Sequence, residues 1–578
     1  MNLNRLILPQ LALLVLFTVS ASCKKNDVEE PIPPVPVEDT TVVPGIDPAI
    51  AETIGFFLND WQAKTFIAPS YTEAIMPSVT GATVNVDAST ILTKIPVSVF
   101  GHNAVWWMGP VAGNQQFLVP VNNLNPHILR FPGGSSSDAY FWNARQDQNP
   151  PDAPAQIMNA DGNKVAPGYS YGMTDYNWIC SLDNYYTMLQ QTHCKGLITV
   201  NYGYARYGTG PDPVAAAAHL AADWVRYDNG RTELWEIGNE NFGSWEWGYR
   251  IDKSLNQDGQ PEFLTGALYA KHFRVFVDSM QKAATEIGAK IKIGAVTVEA
   301  PATESWQTTC VKTWNTGMMT GCGDKADFYV VHNYFTSYNA NSTADQIYQA
   351  ASTVPKIMMD YVKQTLQANG CALKPIVLDE WNMFATGSMQ QVSNVSGGFA
   401  VTVLGEALKN NYGLTTRWDL LNGWDNGNDH GLFSSGNEPG VAKWSPRPGY
   451  YYLYYFQKMI GDRLVSATTT SGLYTYASTY SSGQLNVTLI NSSASAISAV
   501  VKTKNFRTGN RFYWYSLEGD TDNGEFSRKV LVNGSGPSGV AGGTSDYATL
   551  NAFSASTTNG IKVKVPARGA VMLVIDKK

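Results

Sequence analysis

Cysteine is scarce in this chain, six in 578 residues, and the spacing of those six fits no zinc-ligand pattern. Charge is also sparse: the formal net charge is −7, and the chain lacks the basic stripe that a nucleic-acid partner would require. No Gly-rich phosphate cradle follows the first strand-like run, which argues against a dinucleotide-binding open sheet. The apolar run at residues 6–19 is short for a membrane span. What the chain has in quantity is aromatic side chain, 12% of residues with 16 Trp and 30 Tyr. Such rings fill cores and also suit flat apolar faces of ligands.

The start of the chain reads as an export signal over residues 1–23: Arg5, the apolar run, then Ser20, Ala21 and Ser22 before Cys23. It resembles a bacterial lipoprotein signal, which implies lipidation at Cys23 and a body held at a bacterial membrane, periplasmic or cell-surface. Cleavage by an ordinary signal peptidase is the alternative. Residues 24–49 are charged, then Pro-rich, as in a semi-rigid spacer. Of the remaining cysteines, Cys180 with Cys194 and Cys310 with Cys322 are near enough in sequence for disulfides, and free buried thiols are the other reading.

At this length two domains and a leader are expected. Residues 50–66 carry apolar side chains at near-helical spacing (Ile54, Phe57, Leu58, Trp61), and residues 82–86 alternate like a strand. Together they form a segment over 50–92. Short apolar runs then recur at 97–102, 127–131, 197–201, 233–240, 291–296, 327–334, 375–380 and 414–420, separated by helix-like intervals. Eight such units predict an α/β chain built on a (β/α)8 TIM barrel over 93–460. Beyond it, over 461–578, short alternating runs with Gly, Ser and Asn turns predict a C-terminal β-sandwich domain.

The fourth run, ELWEIGNE, leads to Glu240, and the seventh, PIVLDE, leads to Glu380. Active sites of such barrels gather at the carboxyl ends of the strands. Two acids delivered there can give a proton to a leaving oxygen and attack a sugar carbon from the opposite side. Arg130, in the ILRFPGG that the second run gives, could hold one carboxylate ionised. His332 and Tyr334 alternate to the same side of the sixth run and could reach Glu380 or a hydroxyl. Trp107, Trp245, Trp381 and Trp418 stand beside these polar ends, as a sugar-lined cleft needs.

The motifs WEIGNE and DEWN, with LRFPGG upstream and VHNYF between, resemble the clan A retaining glycoside hydrolases, most closely family 51, the α-L-arabinofuranosidases and relatives. The resemblance implies double displacement on plant or algal polysaccharide or oligosaccharide. Glu240 would be the acid/base, Glu380 the nucleophile, Asn239 a partner of the sugar 2-hydroxyl, and Arg130, His332 and Tyr334 supports of the nucleophile. That chemistry calls for neither metal nor organic cofactor. It also requires a raised pKa at Glu240 and an ionised Glu380. One motif departs: the family's Glu-His pair that grips a terminal arabinose is replaced by GHNAVWW, with His102 and Asn103. An endo-acting β-glycanase of the clan is therefore an alternative, and a non-catalytic sugar-binding lipoprotein is a second.

Overall fold

The computed structural model describes residues 42–338, 340–470 and 472–578. The export signal, Cys23 and most of the spacer lie outside the described residues. Eight parallel strands close into a barrel: β1 (Gly101–Asn103), β2 (Ile128–Phe131), β3 (Lys195–Val200), β4 (Leu234–Ile237), β5 (Lys292–Val296), β6 (Phe328–Asn333), β7 (Ile376–Trp381) and β8 (Leu414–Arg417). They are buried almost throughout, because both faces are covered, and so they read in sequence as unbroken apolar runs. A helix follows each strand: α1 (Gln115–Leu124), α2 (Leu182–Thr192), α3 (Pro213–Asp228), α4 (Gly266–Glu286), α5 (Thr309–Cys322), α6 (Ala344–Ala368), α7 (Asn394–Lys409) and α8 (Pro448–Met459). Seven of the eight start on an Asn, Ser, Asp or Thr whose side chain accepts a backbone N–H of the first turn, with a full capping box at Thr343 and Gln346. Such caps satisfy donors that a helix start leaves free.

The helix expected over 50–66 is reduced to one 3-10 turn, Gly55–Leu58. Tertiary contact overrides the periodicity. The Thr53 carbonyl accepts the Ile376 amide at 2.9 Å, at the start of β7. Ile54, Phe57 and Leu58 plug the barrel floor against Ile128, Leu197, Leu234, Phe328, Val330, Val377 and Leu414. The aromatic and aliphatic spacing reflects this floor.

The C-terminal domain is a curled mixed sheet, sandwich-like, of eleven strands. Ala82–Lys94, before the barrel in sequence, lies inside it, antiparallel to Arg463–Thr469 and parallel to Ile497–Lys504. The sheet rests on α7 and α8. Tyr455 of α8 packs 4.4 Å from Tyr515, centroid to centroid, and Tyr476 donates to Glu406 of α7 at 3.0 Å. All five cysteines among the described residues are free thiols.

Candidate active site

Glu240 does not end a strand, as the sequence suggested. β4 stops at Ile237, and Gly238, at φ +78°, starts a tight turn. A Cβ on Gly238 would fall 2.0 Å from Asn241 Oδ1, so the position is closed to any side chain. The turn lifts Glu240, itself at φ +43°, over the mouth, where its side chain is 19% exposed. Glu380 projects from the last residues of β7. Between β6 and β7 the register slips: Val331 faces Leu378, but His332 faces Glu380. The extra residue, Asp379, makes contact inside the barrel as well, as an irregularity of this kind allows.

Arg130, fully buried on β2, joins the floor of the mouth. Its Nη1 donates to Glu380 at 2.9 Å and to Asn103 at 3.0 Å, its Nη2 to Glu236 at 2.5 Å and to Asn239 at 2.7 Å, and its Nε to Glu236 at 2.9 Å. Tyr334 donates to the other oxygen of Glu380 at 2.8 Å. His332 Nδ1 lies 3.0 Å from Glu240 and 3.9 Å from Glu380, while its Nε2 faces Asp379 at 3.0 Å. One oxygen each of Glu240 and Glu380 and one ring nitrogen of His332 all fall within 4.8 Å of one another. Trp245, half exposed, caps the arrangement by donating its indole N–H to Glu240 at 2.9 Å.

Burial opposes charge on His332, but Glu380, Asp379 and Glu240 together hold its pKa well above the ordinary value. The neighbouring carboxylates thus favour its charged form. Burial raises Glu236 well above the usual carboxyl range despite Arg130, while Asp379, beside His332 and Arg130, is lowered. At Glu240 burial is outweighed by His332, Trp245 and Arg130, and the pKa falls. At Glu380 burial outweighs His332 and Arg130, and the pKa rises. In the unliganded site this reverses the order expected from sequence. The cause is His332, which sits nearer Glu240 than Glu380. The three atoms within 4.8 Å are compact enough to hold a cation with a neutral imidazole, and with His332 protonated they can exchange a proton instead.

The structure thus brings together Arg130, Asn239, Glu240, Trp245, His332, Tyr334 and Glu380. Asn239 is tied at both ends, accepting from Arg130 and donating to Glu246 at 3.1 Å. Trp418, at the end of β8, lies over Gly134, with Trp107 6.0 Å away. Trp381 differs from its sequence reading: it is 1% exposed and packs toward Phe399 of α7, 6.1 Å away. Successive strand residues face opposite ways, so with Glu380 inward, Trp381 points to the helix layer. Sequence reasoning missed Glu236, Asp379, Asn103 and Glu246. Asp379 had a signal, its place beside Glu380; Glu236 had one in being an acid inside an apolar strand.

Barrel and appended sheet define a fold class, a (β/α)8 barrel joined to a sandwich-like sheet, and solved glycoside hydrolases share it. No protein-family model matches the chain, and no curated protein does. Among solved structures it is similar to a family 51 α-L-arabinofuranosidase from Thermotoga petrophila, with TM-score 0.57 and 16% identity over 86% of this chain and all of that one. A family 51 α-L-arabinofuranosidase from Bifidobacterium longum matches with TM-score 0.56 and 13% identity, again over 86% of this chain and all of that one. A family 44 xyloglucanase from Paenibacillus polymyxa gives 0.51 and 13%, over 86% of this chain and 99% of the other.

Proposed function

We propose that the protein hydrolyses glycosidic bonds in plant or algal polysaccharide or oligosaccharide with retention of anomeric configuration. The observation that carries this reading is the approach of Glu240 and Glu380 at the barrel mouth, within 4.8 Å oxygen to oxygen. Retaining enzymes hold their carboxyls about 5–5.5 Å apart, whereas inverting ones leave roughly 6.5–9.5 Å for a water. Glu380 attacks the anomeric carbon, and the bond to the leaving oxygen breaks as that oxygen takes the proton of the Glu240–His332 pair. Water, deprotonated by the same pair, then cleaves the glycosyl–Glu380 ester and releases the sugar. Arg130 and Tyr334 donate to Glu380 and so favour its ionised form against the effect of burial. The test is incubation with aryl glycosides, following the first-formed anomer by NMR. Release of the inverted anomer, or no release from any α-L-arabinofuranoside, β-xyloside or β-glucoside, would sink the proposal.

The proton for the leaving group is stored on a pair and titrates as one. Because His332 is held above its ordinary pKa, the basic limb of the kcat/KM profile is expected to lie above that value. His332→Ala leaves the proton on Glu240 alone, and the basic limb should move to lower pH. A limb that stays in place would show that His332 does not carry this proton.

A further inference from the structure

The rings that begin at the nucleophile's side of the mouth do not stop there. From Trp418 the centroid of Trp107 is 6.0 Å away, from Trp107 that of Trp106 is 5.7 Å, from Trp106 that of Trp178 is 5.6 Å, and from Trp178 that of Tyr176 is 6.2 Å. Exposure grows outward along this series. Trp418 is 7% exposed, Trp106 and Trp107 are half-buried, and Trp178 and Tyr176 are 48% and 47% exposed. Successive rings meet at 56°, 85°, 59° and 37°. None covers its neighbour face to face, so ring faces remain for another partner. The series is also held in place. Trp106 donates its indole N–H to Ser136 at 3.0 Å, and its carbonyl accepts the Cys180 amide at 2.7 Å, which ties the loop after β1 to the loop bearing Trp178. Aromatic rings left half in water at the edge of a catalytic mouth cost hydrophobic stabilisation that burial would have given.

The direction of the series follows from the barrel. In the closed order β4-β5-β6-β7-β8-β1-β2-β3, β8 stands opposite β4. The acid Glu240 comes from the end of β4, and the leaving group must lie against it. Trp418, at the end of β8, therefore lies across the scissile bond from the leaving group, and the series runs from it along the ends of β1 and β2.

We propose that Trp418, Trp107, Trp106, Trp178 and Tyr176 form a stacking track for successive sugars of a polysaccharide, entered from the glycone side at Trp418, so that cleavage falls within chains. The track's direction rests on the hydrolase reading; its ability to bind glycan does not. Ring-to-ring steps near the size of one sugar unit give each of several sugars an apolar face to lie on, while an enzyme acting on a terminal sugar would need that side closed.

The test is electrophoresis of the full chain through gels containing soluble arabinan, arabinoxylan, xyloglucan or β-glucan, with product sizing on the same glycans. Wild type is expected to be retarded by at least one and to release oligosaccharides from it. Trp178→Ala with Tyr176→Ala is expected to weaken that binding about tenfold or more, and the single Trp178→Ala part of the way. Tyr71→Ala, on the sheet domain, should leave it unchanged. Melting temperatures of all variants check folding, which half-exposed rings do not control. Retardation of wild type by none of the glycans, equal retardation of the double variant, or monosaccharide as sole product overturns the proposal, even where aryl glycosides are cleaved. Retardation lost in the double variant without hydrolysis of any glycoside would keep the track and remove the hydrolase reading.

Discussion

Glu380→Ala is expected to lower kcat/KM on an activated aryl glycoside by at least about 10⁴-fold, since removal of a covalent nucleophile costs rates of that order. The surroundings explain why no neighbour can substitute. Asp379, the next acid, is fully buried and faces His332 Nε2 at 3.0 Å, away from the mouth's open side. Glu240 stands across the mouth. The variant should remain folded, because it removes a buried carboxyl whose desolvation already opposes its charge. A loss smaller than about 100-fold on the best substrate would show that Glu380 is not the attacking group.

Arg130→Met is expected to lower the free energy of unfolding by about 3–5 kcal/mol at neutral pH, the usual penalty when one member of a buried ionic cluster is taken away. Four side chains lose a donor at once: Glu236, Glu380, Asn239 and Asn103. Urea titration of wild type and variant gives the difference directly. The sign with pH is also fixed. Without the guanidinium, the buried carboxyls have folded-state pKa values above their unfolded ones, so the folded variant takes up protons and regains stability as pH falls. The gap between variant and wild type should therefore narrow between neutral and mildly acidic pH. A difference below about 1 kcal/mol, within the range of an exposed pair, would contradict the role given to Arg130.

The barrel was legible because its strands are covered on both faces and so appear as short unbroken apolar runs at regular intervals. Glu240, Glu380, Arg130, His332 and Tyr334 were legible because each follows or ends such a run at the carboxyl side. What could not be read depends on contacts distant in sequence. The register slip that turns Asp379 inward exists only between β6 and β7. The ionisation order of the two acids depends on 3.0 Å against 3.9 Å from one imidazole. The helix expected over 50–66 failed because Phe57 and Leu58 answer to the barrel floor. Trp178 and Tyr176 lie in a long loop after β2, where no periodicity tells an exposed ring from a buried one.

The strand Ala82–Lys94 lies inside the C-terminal sheet although the whole barrel separates it in sequence from its partners at Arg463–Thr469 and Ile497–Lys504. Neither edge of this ribbon can find its partner until residues 463–504 have been made. Trimming the C-terminal quarter to obtain a smaller catalyst would strip that ribbon of its neighbours and leave a sticky edge open to other chains.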